Sequence, residues 1–329
     1  MSLTSQLKQK NSPVRQFFEK YENKAGMAWC IALNMQSAKE IIPMKYEPEL
    51  QTAYSFMGTT IDYLLRYTLQ GNRLSFEDSF AYKTIKSRPY VLVEEAQRII
   101  KPEYFHTLFV IGKFYLDGRD AVDEESAYSA LALAVLEHYY RSGFLPKMLT
   151  SPISSEEDFQ INHLDGESLT SKTAWFFFDK LYQSLGGKLY AYEVSELVRL
   201  FAKTLHDPNS ELYRATIRNG SQSLVNSKLV GGADFDCLID CNSRSVLTDI
   251  KTTIEPVSIT NFRQLLGYAL LCDPDKDGFD FSDIGFYHSR STSFRSLPTE
   301  KVIKECLPSF NSIKHAREVF VRELGKSRY

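Results

Sequence analysis

The chain has 329 residues, 43% of them hydrophobic and 24% charged, with a formal net charge of −2. That length can bury a substantial core in one large domain or two smaller ones, and the composition is that of an ordinary globular protein. No apolar run reaches the roughly 18 residues that a membrane-spanning helix needs. The near-zero charge counts against tight non-specific binding to duplex DNA, while leaving room for a local basic groove around an acidic centre.

The opening segment is too polar for a secretion signal, so the expectation is a cytoplasmic protein with no membrane partner. Its first few residues resemble an expression remnant and carry no weight in the reading. Residues 12–36 read as one or two helices, with Pro13 near the start, where its missing N–H is tolerated. Residues 51–70 form a strong helix: Tyr54, Met57, Ile61, Leu64, Leu65 and Thr68 recur at helical spacing. Asp62 sits at the border of that stripe, as a solvated flank or as a ligand presented from the core edge. Residues 91–116 read as helical and apolar, followed by a turn at Gly118-Arg119-Asp120. The next helix opens on Glu124 and Glu125 and closes on Arg141 and Gly143, as helix polarity prefers. His138 and Tyr139 at its end read as packing.

Residues 150–170 are polar and loop-like, a joint between two lobes. Two amphipathic helices follow, the first stopped by Gly186-Gly187 and the second by Asp207-Pro208. A strand is expected before Asn219-Gly220, which signals a hairpin turn. Residues 259–272 read as a helix on which Gln264 and Tyr268, four apart, share a face. Arg263 on that helix is expected to meet solvent or a phosphate. The run from Asp273 to Gly278 lacks the ligands of a calcium loop and reads as a solvated turn. Residues 282–290 form a further strand, with Tyr287, His288 and Arg290 leaving near the sheet edge, and residues 311–324 a last amphipathic helix. No solenoid repeat is present.

The five cysteines, Cys30, Cys237, Cys241, Cys272 and Cys306, are scattered and odd in number. They suit a reducing compartment and read as small buried hydrophobes, so no iron–sulfur cluster is expected. The six histidines make no zinc-type pair.

The most informative stretch is Gly231-Gly232-Ala233-Asp234-Phe235-Asp236, running into Cys237-Leu238-Ile239, followed by Val246-Leu247-Thr248-Asp249-Ile250-Lys251-Thr252-Thr253. Each reads as a short strand, with residues 241–245 as a polar turn. In a strand, alternate residues share a face, so Asp249 and Lys251 point the same way. Folding about Asn242 and Ser243 brings Asp236 near Asp249 and Asp234 near Lys251. Such a cluster of carboxylate oxygens suits a hard divalent cation, beside which a lysine can orient or deprotonate a water.

These residues resemble the PD-(D/E)XK nuclease superfamily, in its RecB-like or exonuclease-like branch. Asp249-Ile250-Lys251 matches the D/E-x-K element, and Asp236, or Asp234 behind Gly231, matches the first acid. Gln264-Leu265-Leu266-Gly267-Tyr268 matches the Q-x-x-x-Y element. Gly58-Thr59-Thr60-Ile61-Asp62 resembles the earlier G-x-x-x-H helix motif, with Asp62 standing where the family has His. Ala233 and Phe235 stand where the family name places a proline. The elements occur in the family's order, and residues 75–220 carry no matching motif.

The resemblance implies an α/β fold: a restriction-endonuclease-like core, in which a small mixed sheet is flanked by helices, with a large helical insertion. Residues 1–74 would hold the N-terminal helices including the first motif helix, 75–215 the insertion, and 216–329 the core with its hairpin and Gln264–Tyr268 helix. It implies hydrolysis of a phosphodiester in nucleic acid, with DNA the expected partner and a protein partner left open. Asp236 and Asp249 would hold Mg²⁺ or Mn²⁺, Asp234 and Asp62 being further or alternative ligands and the Ile250 carbonyl another donor. Lys251 would position the attacking water and offset transition-state charge. Gln264 and Tyr268 would hold the phosphate or the lysine. An RNase and a catalytically silent nucleic-acid-binding or scaffold module of the same fold are the alternatives. Retention of both the acid and the lysine favours the enzyme.

Overall fold

Side-chain caps and glycines punctuate this chain. Ser2, Ser12 and Asn23 each accept a hydrogen bond from a backbone N–H in the first turn of the helix that follows, satisfying donors that a helix start leaves unpaired. Asp123 and Ser258 do so within reciprocal capping boxes. Gly143, Gly231 and Gly278 take left-handed φ angles of 79°, 78° and 76° at helix ends, a conformation that glycine adopts without strain.

A computed structural model describes residues 2–34, 51–69, 79–87, 91–93, 98–100, 102–114, 122–146, 149, 168–169, 171–219, 224–253 and 255–326. In chain order the helices α1 (Leu3–Lys8), α2 (Pro13–Tyr21), α3 (Lys24–Leu33), α4 (Gln51–Leu69) and α5 (Phe80–Ser87) precede strands β1 (Val91–Val93) and β2 (Arg98–Ile100). Then come α6 (Pro102–Phe114), α7 (Glu124–Ser142), β3 (Ser168–Leu169), α8 (Ser171–Ser184) and α9 (Lys188–His206). Strand β4 (Thr216–Asn219), a 3₁₀ turn (Val225–Val230), β5 (Cys237–Cys241), β6 (Arg244–Lys251), α10 (Ile259–Leu271) and the single turn α11 (Pro274–Asp277) follow. The chain ends with β7 (Asp283–His288), β8 (Ser293–Pro298), α12 (Thr299–Cys306) and α13 (Ile313–Lys326). The expected turns at Gly118-Arg119-Asp120 and at Gly220, and nearly all of the loop 150–170, lie outside the described residues.

The chain divides into two compact units, Met1–Pro43 with Leu200–Tyr329, and Met44–Arg199. Helix α4, which carries Asp62, therefore belongs to the second unit rather than with the N-terminal helices. In that unit α4, α5 and α6 surround α7, whose residues from Ala130 to Leu136 are all fully buried. A helix that is apolar on every side belongs in a core. His138 packs edge-on against Phe56 and Tyr139 against Phe105, as the packing reading expects. Where one helix was expected over 91–116, β1 pairs antiparallel with β2, β2 pairs parallel with β3, and a helix starts only at Pro102. Val91, Val93, Ile99 and Ile100 are stiff β-branched residues, and Pro102 disfavours helix in the residue before it.

The first unit is mixed α/β, a five-stranded mixed sheet in the order β4-β5-β6-β7-β8 with helices flanking it. Strands β4, β5 and β6 run antiparallel in succession, β7 is parallel to β6, and β8 returns antiparallel. Asn242 and Ser243, with φ of 49° and 61°, turn β5 into β6 where expected. Two successive positive φ angles are what a two-residue turn needs to match strand twist. Helix α10 carries the chain from β6 over to β7, packed on α1, α3 and α13. Leu238, Leu247, Ile284 and Phe286 meet Phe262, Leu265, Leu266 and Ala269 of α10 in one core. On the opposite face Phe201 stacks edge-on against Tyr287, ring centres 4.4 Å apart.

Several side chains lie elsewhere than the sequence suggested. The opening residues belong to the fold: Leu3 N donates to Gly232 O at 3.0 Å, Gln6 Nε2 to Val230 O at 2.9 Å, and Leu3 is 1% exposed. Strand β7 is interior, so Tyr287, His288 and Arg290 are buried rather than leaving at an edge. Arg263 is buried rather than turned to solvent. It forms a two-pronged ion pair with Glu22 at 2.8 and 2.5 Å, the two side chains 7% and 2% exposed. A buried charge whose partner is removed is strongly destabilising. Replacing Arg263 with Met should therefore lower the unfolding free energy by about 3–5 kcal/mol, read as a drop in the urea midpoint; a change under about 1 kcal/mol would show that Glu22 is not stranded.

Candidate functional site

The hairpin registers Cys237 with Thr248 and Cys241 with Arg244, which puts Asp236 one step beyond the ladder, opposite Asp249. Asp236 uses that position to accept a hydrogen bond on Oδ2 from the Ile250 backbone N–H at 2.6 Å. One acid is thereby fixed against the strand that carries the other two groups. Asp249 is 3% exposed, and its Oδ2 lies 2.5 Å from Lys251 Nζ. The two groups form a short, buried ion pair. The lysine stem lies along Phe286, with Nζ 5.9 Å from the ring centre.

Burial alone would pull the Lys251 pKa down, but Asp249 and then Asp236 outweigh it, and the pKa is raised above the ordinary lysine value. Lys251 is therefore an ammonium at neutral pH, a donor rather than a base. On α10, Gln264 Nε2 donates to Tyr268 Oη at 2.6 Å, which leaves the phenolic hydrogen for another acceptor. Burial first, then the charges of Asp249, Asp236 and Asp234, raise the Tyr268 pKa, so the phenol keeps its proton. The expected set Asp234, Asp236, Asp249, Lys251, Gln264 and Tyr268 thus shares one electrostatic neighbourhood in the first unit.

Asp62 is not part of the first unit. It lies in the second unit, half-buried, with both carboxylate oxygens on the Arg66 guanidinium, and it feels Glu137 and Arg141 nearby. Its surroundings as described are those of an internal ion network. Among the described residues, no three His, Cys, Asp or Glu side chains converge closely enough to hold a metal ion.

The parallel pairing of β6 and β7 adds residues that the sequence reading did not place in the site. His288 is the register partner of Lys251. It is 1% exposed, its Nε2 lies 3.0 Å from the Asn34 carbonyl and its Nδ1 has no hydrogen-bond partner. Burial, partly offset by the Asn34 contact, lowers its pKa, so the ring is neutral with its proton assigned to Nε2. Beyond the ladder, Ser289 N donates to Lys251 O at 2.9 Å and Arg290 Nε to Thr252 O at 2.6 Å. These contacts hold the carbonyls of the lysine and of the residue after it. The apolar character of Ile284-Gly285-Phe286-Tyr287 was the available signal, since a strand buried on both faces reads as a continuous apolar run.

Comparison with models of protein families, with curated proteins and with solved structures gave no match for this chain.

The Asp62 carboxyl is pushed up from 3.8 to about 6, by burial first, with Arg66 opposing. Between these values the folded chain holds a proton that the unfolded chain has released, so this group's contribution to stability falls as pH rises through the window. Asp62→Asn abolishes the titration. The unfolding free energy of the wild type, relative to this variant, should therefore decline as pH rises from 3.8 to about 6 in urea titrations; an unchanging difference would refute it.

Proposed function

We propose that this protein is a metal-dependent nuclease that hydrolyses phosphodiester bonds in DNA. The observation that carries the reading is the convergence of Asp236, Asp249 and Lys251 at one end of a sheet, beside a helix that presents Gln264 and Tyr268. The order of elements supports it. An antiparallel β4-β5-β6 meander, a crossover helix and a parallel β7 resemble the core of restriction-endonuclease-like proteins.

The donor set fits Mg²⁺ or Mn²⁺. Asp236 and Asp249 offer carboxylate oxygens, Ile250 a carbonyl and Asp234 a further acid, while Mg²⁺ asks for only one or two protein carboxylates and retains its waters. Asp249 Oδ2 is buried beside the Lys251 ammonium, and a carboxylate oxygen keeps a further lone pair for a cation. When bound, the ion offsets negative charge that develops on the phosphoryl oxygens.

The chain's own residues supply the rest. Lys251, held as an ammonium, donates to the attacking water or to a phosphoryl oxygen. Its pairing with Asp249 keeps it in place until a substrate phosphate competes for it. Tyr268, locked protonated and aligned by Gln264, offers its hydroxyl hydrogen to the phosphate. Asp236 cannot swing freely because it holds the Ile250 N–H, so the first acid is preorganised.

The test is cleavage of labelled linear, circular and single-stranded DNA, and of RNA, with Mg²⁺, Mn²⁺ or EDTA. DNA cutting should require the metal and fall by about 10²–10³-fold or more in Lys251→Ala, with nucleic-acid binding retained. Cutting by that variant at the wild-type rate would sink the mechanism. Faster cutting of RNA would move the substrate class, and binding without cutting under any metal would favour a catalytically silent module.

A further inference from the structure

Helices α3 and α12 meet at backbone distance. Asn23 N donates to Cys306 O at 2.7 Å and Asn23 Nδ2 to Glu305 O at 3.1 Å. A Cβ placed on Gly26 would come within 1.9 Å of Glu305 O, so nothing larger than glycine fits and the helices cannot slide apart without breaking these contacts. Cys30, one turn further along α3, and Cys306, the last residue of α12, face each other across this joint. Both are 0% exposed, and their sulfur atoms are 3.3 Å apart.

We propose that Cys30 and Cys306 are a redox-active dithiol, a modification site that closes to a disulfide when hydrogen peroxide reaches it. The contact is already polarised. The Cys306 S–H donates to the Cys30 sulfur, which lowers the Cys30 pKa against the opposing effect of burial. The same contact, with burial, raises that of Cys306. Cys30 is therefore the attacking sulfur and Cys306 the resolving one. The Cys30 thiol gives up its proton, its thiolate attacks one peroxide oxygen, the O–O bond breaks, and the departing hydroxide takes up the proton that Cys30 released to become water. The Cys306 sulfur then displaces the new S–OH hydroxyl, which leaves as a second water with the Cys306 proton, and the S–S bond forms. Two thiols are oxidised and one peroxide is reduced to two waters. A small neutral oxidant is the fitting class, because a bulky disulfide has no route to sulfurs that expose no surface.

The cross-link would join residues 276 apart in sequence, and closing a long loop restricts the unfolded chain most. It would also fix the carboxyl end of α3. Asn34 N and Nδ2 both donate to Cys30 O, at 3.1 and 2.9 Å, and the Asn34 carbonyl faces His288, the neighbour of Lys251. That last link matters to catalysis only if the nuclease reading holds; the cross-link itself does not depend on it.

The experiment treats the full-length native protein with hydrogen peroxide, alkylates the remaining thiols and maps the peptides by mass. One disulfide between the Cys30 and Cys306 peptides is expected, with the other cysteines alkylated. The thermal midpoint should rise by several degrees, reversed by a dithiol reductant. Cys306→Ser should form no cross-link, show no thermal shift and accumulate a sulfenic acid on Cys30 that dimedone traps. No cross-link in the wild type, or one between other cysteines, overturns the proposal. DNA cleavage measured on the same samples separates the two ideas. A cross-link in a protein that cuts nothing leaves the dithiol standing and removes the nuclease, and cutting without a cross-link does the reverse.

Discussion

The parallel pairing of β6 with β7 is the constraint from which the site follows. Antiparallel neighbours can be joined by a two-residue turn, as β5 and β6 are, but a parallel pair forces the chain across the face of the sheet and back. Helix α10 is that crossing. It begins soon after Lys251 and must lie over the end of the sheet that carries Asp249 and Lys251, so Gln264 and Tyr268 reach the same charges without any further device. The same pairing sets His288 beside Lys251 and lets Ser289 and Arg290 continue past the ladder to hold the carbonyls of Lys251 and Thr252.

Once placed, the charges must be reconciled with burial. A carboxylate that is 3% exposed and an ammonium mostly screened from water are costly separately and tolerable together. Asp249 Oδ2 and the Lys251 ammonium are 2.5 Å apart, so any third charge entering this end of the sheet has to compete with that contact. The Arg263–Glu22 pair is likewise buried, held by two hydrogen bonds, and fastens helices together.

Local features were legible in the sequence where local forces decide. The Asn242-Ser243 turn, the two strands it joins and the shared face of Asp249 and Lys251 follow from turn chemistry and a period of two. The Gln264–Tyr268 pair follows from helical spacing. What stayed hidden depends on partners distant along the chain. Nothing near Arg263 announces Glu22, 241 residues away. The first turn of the chain looks disposable until Leu3 is seen against Gly267, where an added Cβ would lie 3.0 Å from a leucine methyl. Val91 and Ile100 misled for a different reason: a short apolar run fits a helix or a strand equally well until its pairing partner is known.

The first unit is assembled from both ends of the sequence, with Met44–Arg199 threaded between them. Its core joins Leu3, Phe17 and Phe18 to Leu266, Phe286 and Phe320. A nascent chain cannot complete this core until helix α13 has left the ribosome, whereas the residues of the intervening unit are contiguous in sequence. Contacts of such long sequence separation also slow folding, because loop closure must come before they can stabilise anything. During synthesis helices α1–α3 therefore wait, with their apolar residues uncovered, for partners not yet made. That waiting interval is where chaperone dependence and aggregation of this protein would concentrate.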